Sequence, residues 1–258
     1  MRLDFTGRTV VVTGGTSGIG LAMAELFARL GARVSVCARS AANVEKVVGG
    51  LLASGCEAHG KAVDVAKSEA MFAYAAEVES VLGGIDVWIS NAGVYPQHRI
   101  IDTPEEVWDA TMRTNLRSVY LGARIARERM ADRGGVLINA SSFASVMPSV
   151  GSGLYAATKA AVTSMTRTLA AELAPFGIRV NCYIPGVIDT PMTRPLLDAN
   201  GEAMRRTIAL NRFGDAEEVA NAVAFLASPY AGYITGTSLE ISGGKFCTQN
   251  PVAAWDTK

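Results

Sequence analysis

Short β-branched apolar runs alternate along this chain with longer, alanine-rich amphipathic stretches, and the alternation repeats about every 25–30 residues. Seven runs have the length and composition of buried strands: 8–12 (RTVVV), 32–39 (ARVSVCAR), 57–64 (EAHGKAVD), 85–90 (IDVWIS), 134–140 (GGVLINA), 178–183 (IRVNCY) and 238–241 (SLEI). Between them the spacing predicts helices over 21–31, 43–54, 67–82, 103–130 in two segments, 152–174 and 217–228. Gly31, the Gly83-Gly84 pair and Pro175-Phe176-Gly177 supply helix stops. Thr103 with Glu106, and Asp215 with Glu218, have the spacing of capping boxes. Strand–helix–strand alternation of this kind predicts an α/β protein with a doubly wound parallel sheet between two helical layers. No repeat, low-complexity linker or shift in composition divides residues 1–258, so one domain is expected. Within it the polar, weakly helical stretch 190–213 is the expected lid, and the tail 245–258 is expected to be irregular.

Composition narrows the function. The chain has 258 residues, 49% of them hydrophobic and 19% charged, with zero formal net charge, which is ample for a large core. No Lys/Arg run provides a nucleic-acid footprint. No stretch approaches the roughly 18 apolar residues of a membrane span. The first residues enter a strand at once and have no secretory pattern, so a cytoplasmic protein is expected. Cys37, Cys56, Cys182 and Cys247 lie scattered, with no CxxC and no histidine at ligand spacing, and so predict reduced thiols rather than disulfides or a metal site.

The first strand runs directly into TGGTSGIG (13–20), with glycines at 14, 15, 18 and 20. The spacing is not G-x-G-x-x-G, but the physics is shared. Glycine allows a tight turn and close backbone approach, and the helix N-terminus that follows favours a pyrophosphate. At the end of the second strand no acidic residue occurs before Glu45, which removes the carboxylate that would hold the ribose hydroxyls of NAD(H). Ala38, Arg39 and Ser40 stand there instead, and a guanidinium can pair with a 2′-phosphate, so NADP(H) is favoured and NAD(H) is the alternative. Ser17, in a turn position where a second cation would help NADP(H), speaks for that alternative. Asp64, ahead of Val65, is placed either to meet an adenine amino group or to cap the helix beginning near Ser68. Asn91-Ala92-Gly93 forms a polar turn at the same sheet edge.

The chemistry-bearing stretch is 141–159 (SSFASVMPSVGSGLYAATK). Tyr155 and Lys159, four apart on a predicted helix, share a face. An ammonium beside a phenol is expected to draw its pKa below the reference value of about 10, suiting it to exchange a proton with a carbonyl or alcohol oxygen. Ser141 or Ser142, at the end of the preceding strand, is placed to hold the same oxygen. Asn115, unfavourable in a helix interior, predicts a kink with an inward carbonyl holding water. Pro185-Gly186 and the residues to Met192 predict a rigid turn beside the cleft. Tyr95, Phe143, Val146, Met147, Leu154, Val187 and Met192, with Gln97 and His98, would line a pocket for a medium-sized, largely apolar ketone.

Together TGGTSGIG, Asp64-Val65, NAG at 91–93, Asn115, Ser142, Tyr155-x-x-x-Lys159 and the 185–190 turn resemble the short-chain dehydrogenase/reductase family over residues 5–244, with Ser90 as a departure. The look is that of bacterial 3-oxoacyl carrier-protein reductases and secondary-alcohol dehydrogenases. The resemblance implies a Rossmann-type fold with about seven strands, and hydride exchange between nicotinamide and a ketone or secondary alcohol. By resemblance Tyr155 is the general acid/base, Lys159 lowers its pKa and binds the nicotinamide ribose, Ser142 rather than Ser141 orients the carbonyl, and Asn115 holds a water linked to Lys159. It further implies cofactor contacts from Gly14, Thr16, Ser17, Gly18, Ile19, Gly20, Arg39, Ser40, Asp64, Val65, Asn91, Ala92, Gly93, Pro185, Gly186, Ile188 and Thr190. It also implies a homotetramer packed through the helices at 103–130 and 152–174. Two other readings compete: a dinucleotide-binding sensor without turnover, and an epimerase or dehydratase working through a transient ketone.

Overall fold

The computed structural model describes residues 3–256. Seven strands form one parallel sheet in the order β3-β2-β1-β4-β5-β6-β7. They are β1 (Thr9–Thr13), β2 (Arg33–Ala38), β3 (Ala58–Ala62), β4 (Val87–Ser90), β5 (Gly135–Ala140), β6 (Ile178–Pro185) and β7 (Ser238–Ile241). Each predicted apolar run became a strand. β1 is buried along its whole length, because helices cover both faces of a parallel sheet. Val10 pairs with Val34 on one side and Val87 on the other, so the winding direction reverses at β1 and opens a crevice beyond the strand ends.

On one face α1 (Gly18–Arg29), α2 (Ala41–Ala53) and α8 (Ala216–Ala227) bury Met23, Phe27, Val44, Val219, Val223 and Leu226 against β1 and β2. On the other, α3 (Ser68–Leu82), α5 (Ser118–Met130) and α6 (Gly153–Leu173) bury Met71, Tyr74, Leu121, Ile125 and Leu173 against Val11, Trp88, Leu137 and Val180. Gly83 ends α3 in the left-handed conformation at φ 77°, as a glycine stop does. Asp215 and Glu218 close the capping box expected at α8. Among the described residues no helix is long and apolar enough to cross a membrane.

One local expectation fails. Thr103 and Glu106 form no capping box: α4 (Glu105–Met112) begins after Pro104, and the Thr103 hydroxyl donates to the Arg99 carbonyl instead. The proline holds an extended backbone (φ −59°, ψ 143°) at the cap, which leaves Thr103 one position too early. The break in the 103–130 helix is a π-helical turn over 113–117 centred on Asn115, joining α4 to α5. After β6 the chain forms α7 (Arg194–Arg205), kinked at Asn200. Val187, Leu197 and Ile208 pack there with Phe143, Met204 and Phe213, so the expected lid has a small apolar core of its own.

Candidate active site

A cavity of about 360 Å³ opens at the carboxyl ends of β1, β2, β4, β5 and β6. Its floor is the turn from Gly14 into α1. Gly14 adopts φ +66°, and a Cβ there would stand 2.9 Å from the Ala92 Cα. A Cβ on Gly20 would meet the Gly14 carbonyl at 2.2 Å, so the helix can start this close to the strand only with glycine. Ser17, at the N-cap, makes no side-chain cap, which leaves the first-turn amides of α1 facing the cavity. Such a cradle fits a pyrophosphate.

Thr16, Ser17, Gly18, Ile19, Arg39, Ser40, Asp64, Val65, Asn91, Ala92 and Gly93 line the same cavity, as do Tyr155, Lys159, Pro185 and Thr190. Arg39 is exposed at the wall, while Ser40 Oγ accepts from Asn43 N (3.3 Å) and caps α2. Asp64 does not cap α3, whose N-cap is Lys67; its Oδ1 accepts from Ala66 N at 3.0 Å in a tight local turn. Gly186 and Ile188 stand outside the cavity wall. Gly186 lies against Ser242, where a Cβ would come within 2.7 Å of the Ser242 Cα, and the Ile188 side chain is in the core.

Asn91 is fixed from three directions. Its Nδ2 donates to the Thr13 and Gly14 carbonyls (2.9 and 3.3 Å), and its Oδ1 accepts from the Tyr183 hydroxyl at 2.8 Å. Within the apolar run 178–183 the sequence pattern does not single out Tyr183. Its one signal in the sequence is a hydroxyl-bearing side chain near the strand's cleft end.

Asn115 is fully buried. Its Oδ1 accepts from Val94 N (2.8 Å), and its Nδ2 donates to the Val94 carbonyl (2.9 Å) and to Thr158 Oγ1 (3.3 Å). The expected kink is present, and the inward side-chain carbonyl receives the Val94 backbone amide. The amide group ties the loop after β4 to α6, and the π turn is what aims it there.

The two serines at the end of β5 separate. Ser141 Oγ donates to the Lys159 carbonyl (3.1 Å) and lies 2.7 Å from Thr163 Oγ1, turned onto α6. Ser142 Oγ accepts from Ala144 N (3.2 Å), and its hydroxyl stands near enough to the Tyr155 phenol to oppose the rise in its pKa. Lys159, 4% exposed, donates from Nζ to the Ala140 carbonyl at 2.7 Å and stands 5.6 Å from the Tyr155 ring centre. Tyr95 meets Tyr155 edge-to-face, with ring centres 4.8 Å apart.

The expected depression of the Tyr155 pKa is not found. Tyr155 keeps some surface at the cleft, yet loss of water around it pushes the phenol up to about 12, against the opposing pull of Ser142. Burial likewise pushes Lys159 down to about 8. The ammonium engages a backbone carbonyl rather than the phenol oxygen, so desolvation dominates both groups.

Comparison with known proteins agrees with this geometry. The sequence model of the family described as enoyl-(acyl carrier protein) reductase matches residues 14–245. The 3-oxoacyl-[acyl-carrier-protein] reductase FabG of Vibrio cholerae is 37% identical over 245 residues, covering 95% of this chain and 99% of that protein. Human dehydrogenase/reductase SDR family member 4 is 39% identical over 247 residues, 94% of this chain and 89% of that one. The crystal structure of a short-chain type dehydrogenase/reductase from Mycobacterium marinum superimposes with a TM-score of 0.91 at 32% identity, covering 95% and 98% of the two chains. With a parallel sheet wound about a glycine cradle, and sequence similarity along nearly its whole length, this chain belongs to the short-chain dehydrogenase/reductase family of oxidoreductases.

Proposed function

We propose that the protein is an NADP(H)-dependent oxidoreductase that interconverts a ketone and a secondary alcohol, with Tyr155 exchanging the proton. The observation that carries this reading is the placement of Tyr155 and Lys159, one helical turn apart, in the wall of the cavity that the glycine cradle floors. The glycine cradle at 14–20 would hold the pyrophosphate, Arg39 and Ser40 the 2′-phosphate, and Lys159 the nicotinamide ribose. When bound, the nicotinamide supplies or accepts the hydride.

The chain's own part is to orient an oxygen and move a proton. Ser142 donates to the substrate oxygen and sets it against the Tyr155 hydroxyl. A phenol pushed up to about 12 is protonated at neutral pH, the state needed to give a proton to a carbonyl oxygen, which favours reduction there. Lys159 sets a positive charge near the phenolate that forms. Asn115 keeps Val94, and with it the loop bearing Tyr95, fixed over the ring. The 190–213 segment closes the substrate side, and the half-exposed Trp108 on α4 and Tyr120 on α5 suit a contact between copies in a tetramer. Single-domain organisation and a cytoplasmic location accompany this reading.

The test is a spectrophotometric panel with purified protein: neutral ketones and 3-oxoacyl thioesters, each with NADPH and with NADH. NADPH oxidation with at least one class is expected, and Arg39→Asp should shift preference toward NADH. Absence of turnover with every carbonyl and both cofactors would overturn the reading. An unchanged cofactor ratio in Arg39→Asp would remove the phosphate assignment alone.

A further inference from the structure

After β7 the chain doubles back over the far end of the 190–213 segment. Gly243 and Gly244, both left-handed (φ +64° and +82°), let the backbone pass close enough for Leu210 N to donate to the Gly243 carbonyl at 3.0 Å. A Cβ on Gly244 would stand 2.8 Å from the Ala209 Cβ. This turn delivers Lys245 to a particular spot. Its Nζ donates to Thr207 Oγ1 (2.6 Å) and lies 5.1 Å from the centre of the Phe143 ring. Phe143 directly follows Ser142 and packs with Met204 and Phe213 in the apolar cluster under the segment. The Thr207 hydroxyl in turn donates to the Met204 carbonyl at 2.7 Å.

Lys245 is half-buried and pairs with no carboxylate among the described residues. Glu240, the nearest in sequence, accepts from Ser242 Oγ, and Asp256 pairs with Arg206 at 3.7 Å. Partial burial pushes the Lys245 pKa down, as expected for an ammonium that has lost water without gaining an anion. A cation so placed is under-compensated, and a single anion would restore the balance. One ammonium beside an aromatic ring, a hydroxyl and an apolar cluster suits one negative charge on an apolar stem, which is the chemistry of an oxo-carboxylic acid.

We propose that Lys245 is an anion-recognising residue of the substrate site, pairing with a carboxylate at the far end of a ketone whose carbonyl lies at Ser142 and Tyr155. The proposal rests on the reductase reading for the place of that carbonyl. The reading of the pocket as simply apolar is thereby sharpened: the substrate is amphiphilic, with the anionic end toward the chain's C-terminal tail.

The experiment compares a medium-chain oxo-acid with its methyl ester on wild type, Lys245→Met and Lys245→Arg. A charge-assisted contact predicts that wild type favours the acid on the order of ten- to a hundredfold in kcat/KM, mainly through KM. That ratio should fall to near one in Lys245→Met and be largely kept in Lys245→Arg. If Lys245 only straps the segment in place, both substrates weaken together and the ratio is unchanged in Lys245→Met, which overturns the proposal. Calorimetric binding of a straight-chain alkanoate, which has no reducible carbonyl, gives an arm independent of turnover. Weaker binding to Lys245→Met than to wild type and Lys245→Arg supports the anion site, and equal binding to wild type and Lys245→Met sinks it. If wild type turns over neither substrate, the alkanoate arm alone decides the role of Lys245, and the carbonyl panel decides the reductase reading separately.

Discussion

Ser35, Tyr74 and Lys61, beside β2 and β3, repeat the residue types of Ser142, Tyr155 and Lys159 at the end of β5. In the first cluster Ser35 Oγ lies 2.6 Å from the Tyr74 hydroxyl and 3.0 Å from His59 Nδ1. His59 Nε2 lies 3.0 Å from Glu77 Oε1, and Lys61 pairs with the other oxygen of the same carboxylate. By residue type this set, a serine, a histidine and an acid in line, is the more suggestive of the two. Its location removes the suggestion. Ser35 and Tyr74 are wholly buried, Tyr74 packs edge-on to Trp88, and neither borders the cavity at the strand ends. Lys61 has a carboxylate partner, whereas Lys159 has none among the described residues and donates to a backbone carbonyl. Burial raises the pKa of both phenols, so a raised pKa does not separate them. What separates them is placement at the carboxyl edge of the sheet and an ammonium without a counter-charge.

The largest effect that would sharpen this contrast is on turnover. Tyr155→Phe should lower carbonyl reduction about 10²–10⁴-fold in steady-state assays, as expected for loss of a general acid. A variant keeping more than a tenth of wild-type rate would break the contrast.

The next effect is on stability. Lys159 sits at about 8 in the fold against an ordinary 10.5, so between those values the folded state binds fewer protons than the unfolded one. Wild-type stability should therefore rise as pH goes from about 8 toward 10.5, and the penalty is at its full size below pH 8. Lys159→Met should unfold at higher urea at pH 7, by about 1–3 kcal/mol, while losing activity. Equal or lower stability would show that the site carries no such strain.

Tyr74→Phe should do the reverse. It removes one buried hydrogen bond, costing about 1 kcal/mol in a urea titration, and leaves turnover near wild type. A fall in turnover without a change in midpoint would move the chemistry to the wrong cluster.

The smallest effect concerns Glu77, whose pKa is held low by Lys61 first and His59 second. That contribution is present above the ordinary value of 4.5 and is lost as pH falls below it. Glu77→Gln should flatten the acid limb of the stability profile slightly, and less so in high salt, because the pair is solvent-exposed. An acid limb identical to wild type would show the pair to be inert.

The sheet and the cradle were legible because each rests on local rules. Seven apolar runs became seven strands, and the glycines at 14, 18 and 20 sit where the chain needs a left-handed or Cβ-free residue. The spacing of Tyr155 and Lys159 on one helix was equally local. The misses share another cause, a partner distant in sequence or a neighbour that shifts the frame. Pro104 moved the start of α4 past Thr103. The pairing of the Asn115 side chain with Val94, 21 residues away, has no mark in the local spacing. The phenol's pKa depended on how much water the fold removes, which residue spacing does not report. Tyr183 and Lys245 acquired their places from contacts 92 and 38 residues away in the chain.

The central claim is that hydride exchange between a CH–OH carbon and the nicotinamide depends on the phenol at the cleft. Its most direct test follows deuterium from a secondary alcohol labelled on the carbinol carbon into the reduced cofactor by mass spectrometry, in wild type, Tyr155→Phe and Tyr74→Phe. The label should appear with wild type and Tyr74→Phe and be nearly absent with Tyr155→Phe. Undiminished transfer with Tyr155→Phe, or none with wild type across the alcohols that match its active ketones, would contradict the account.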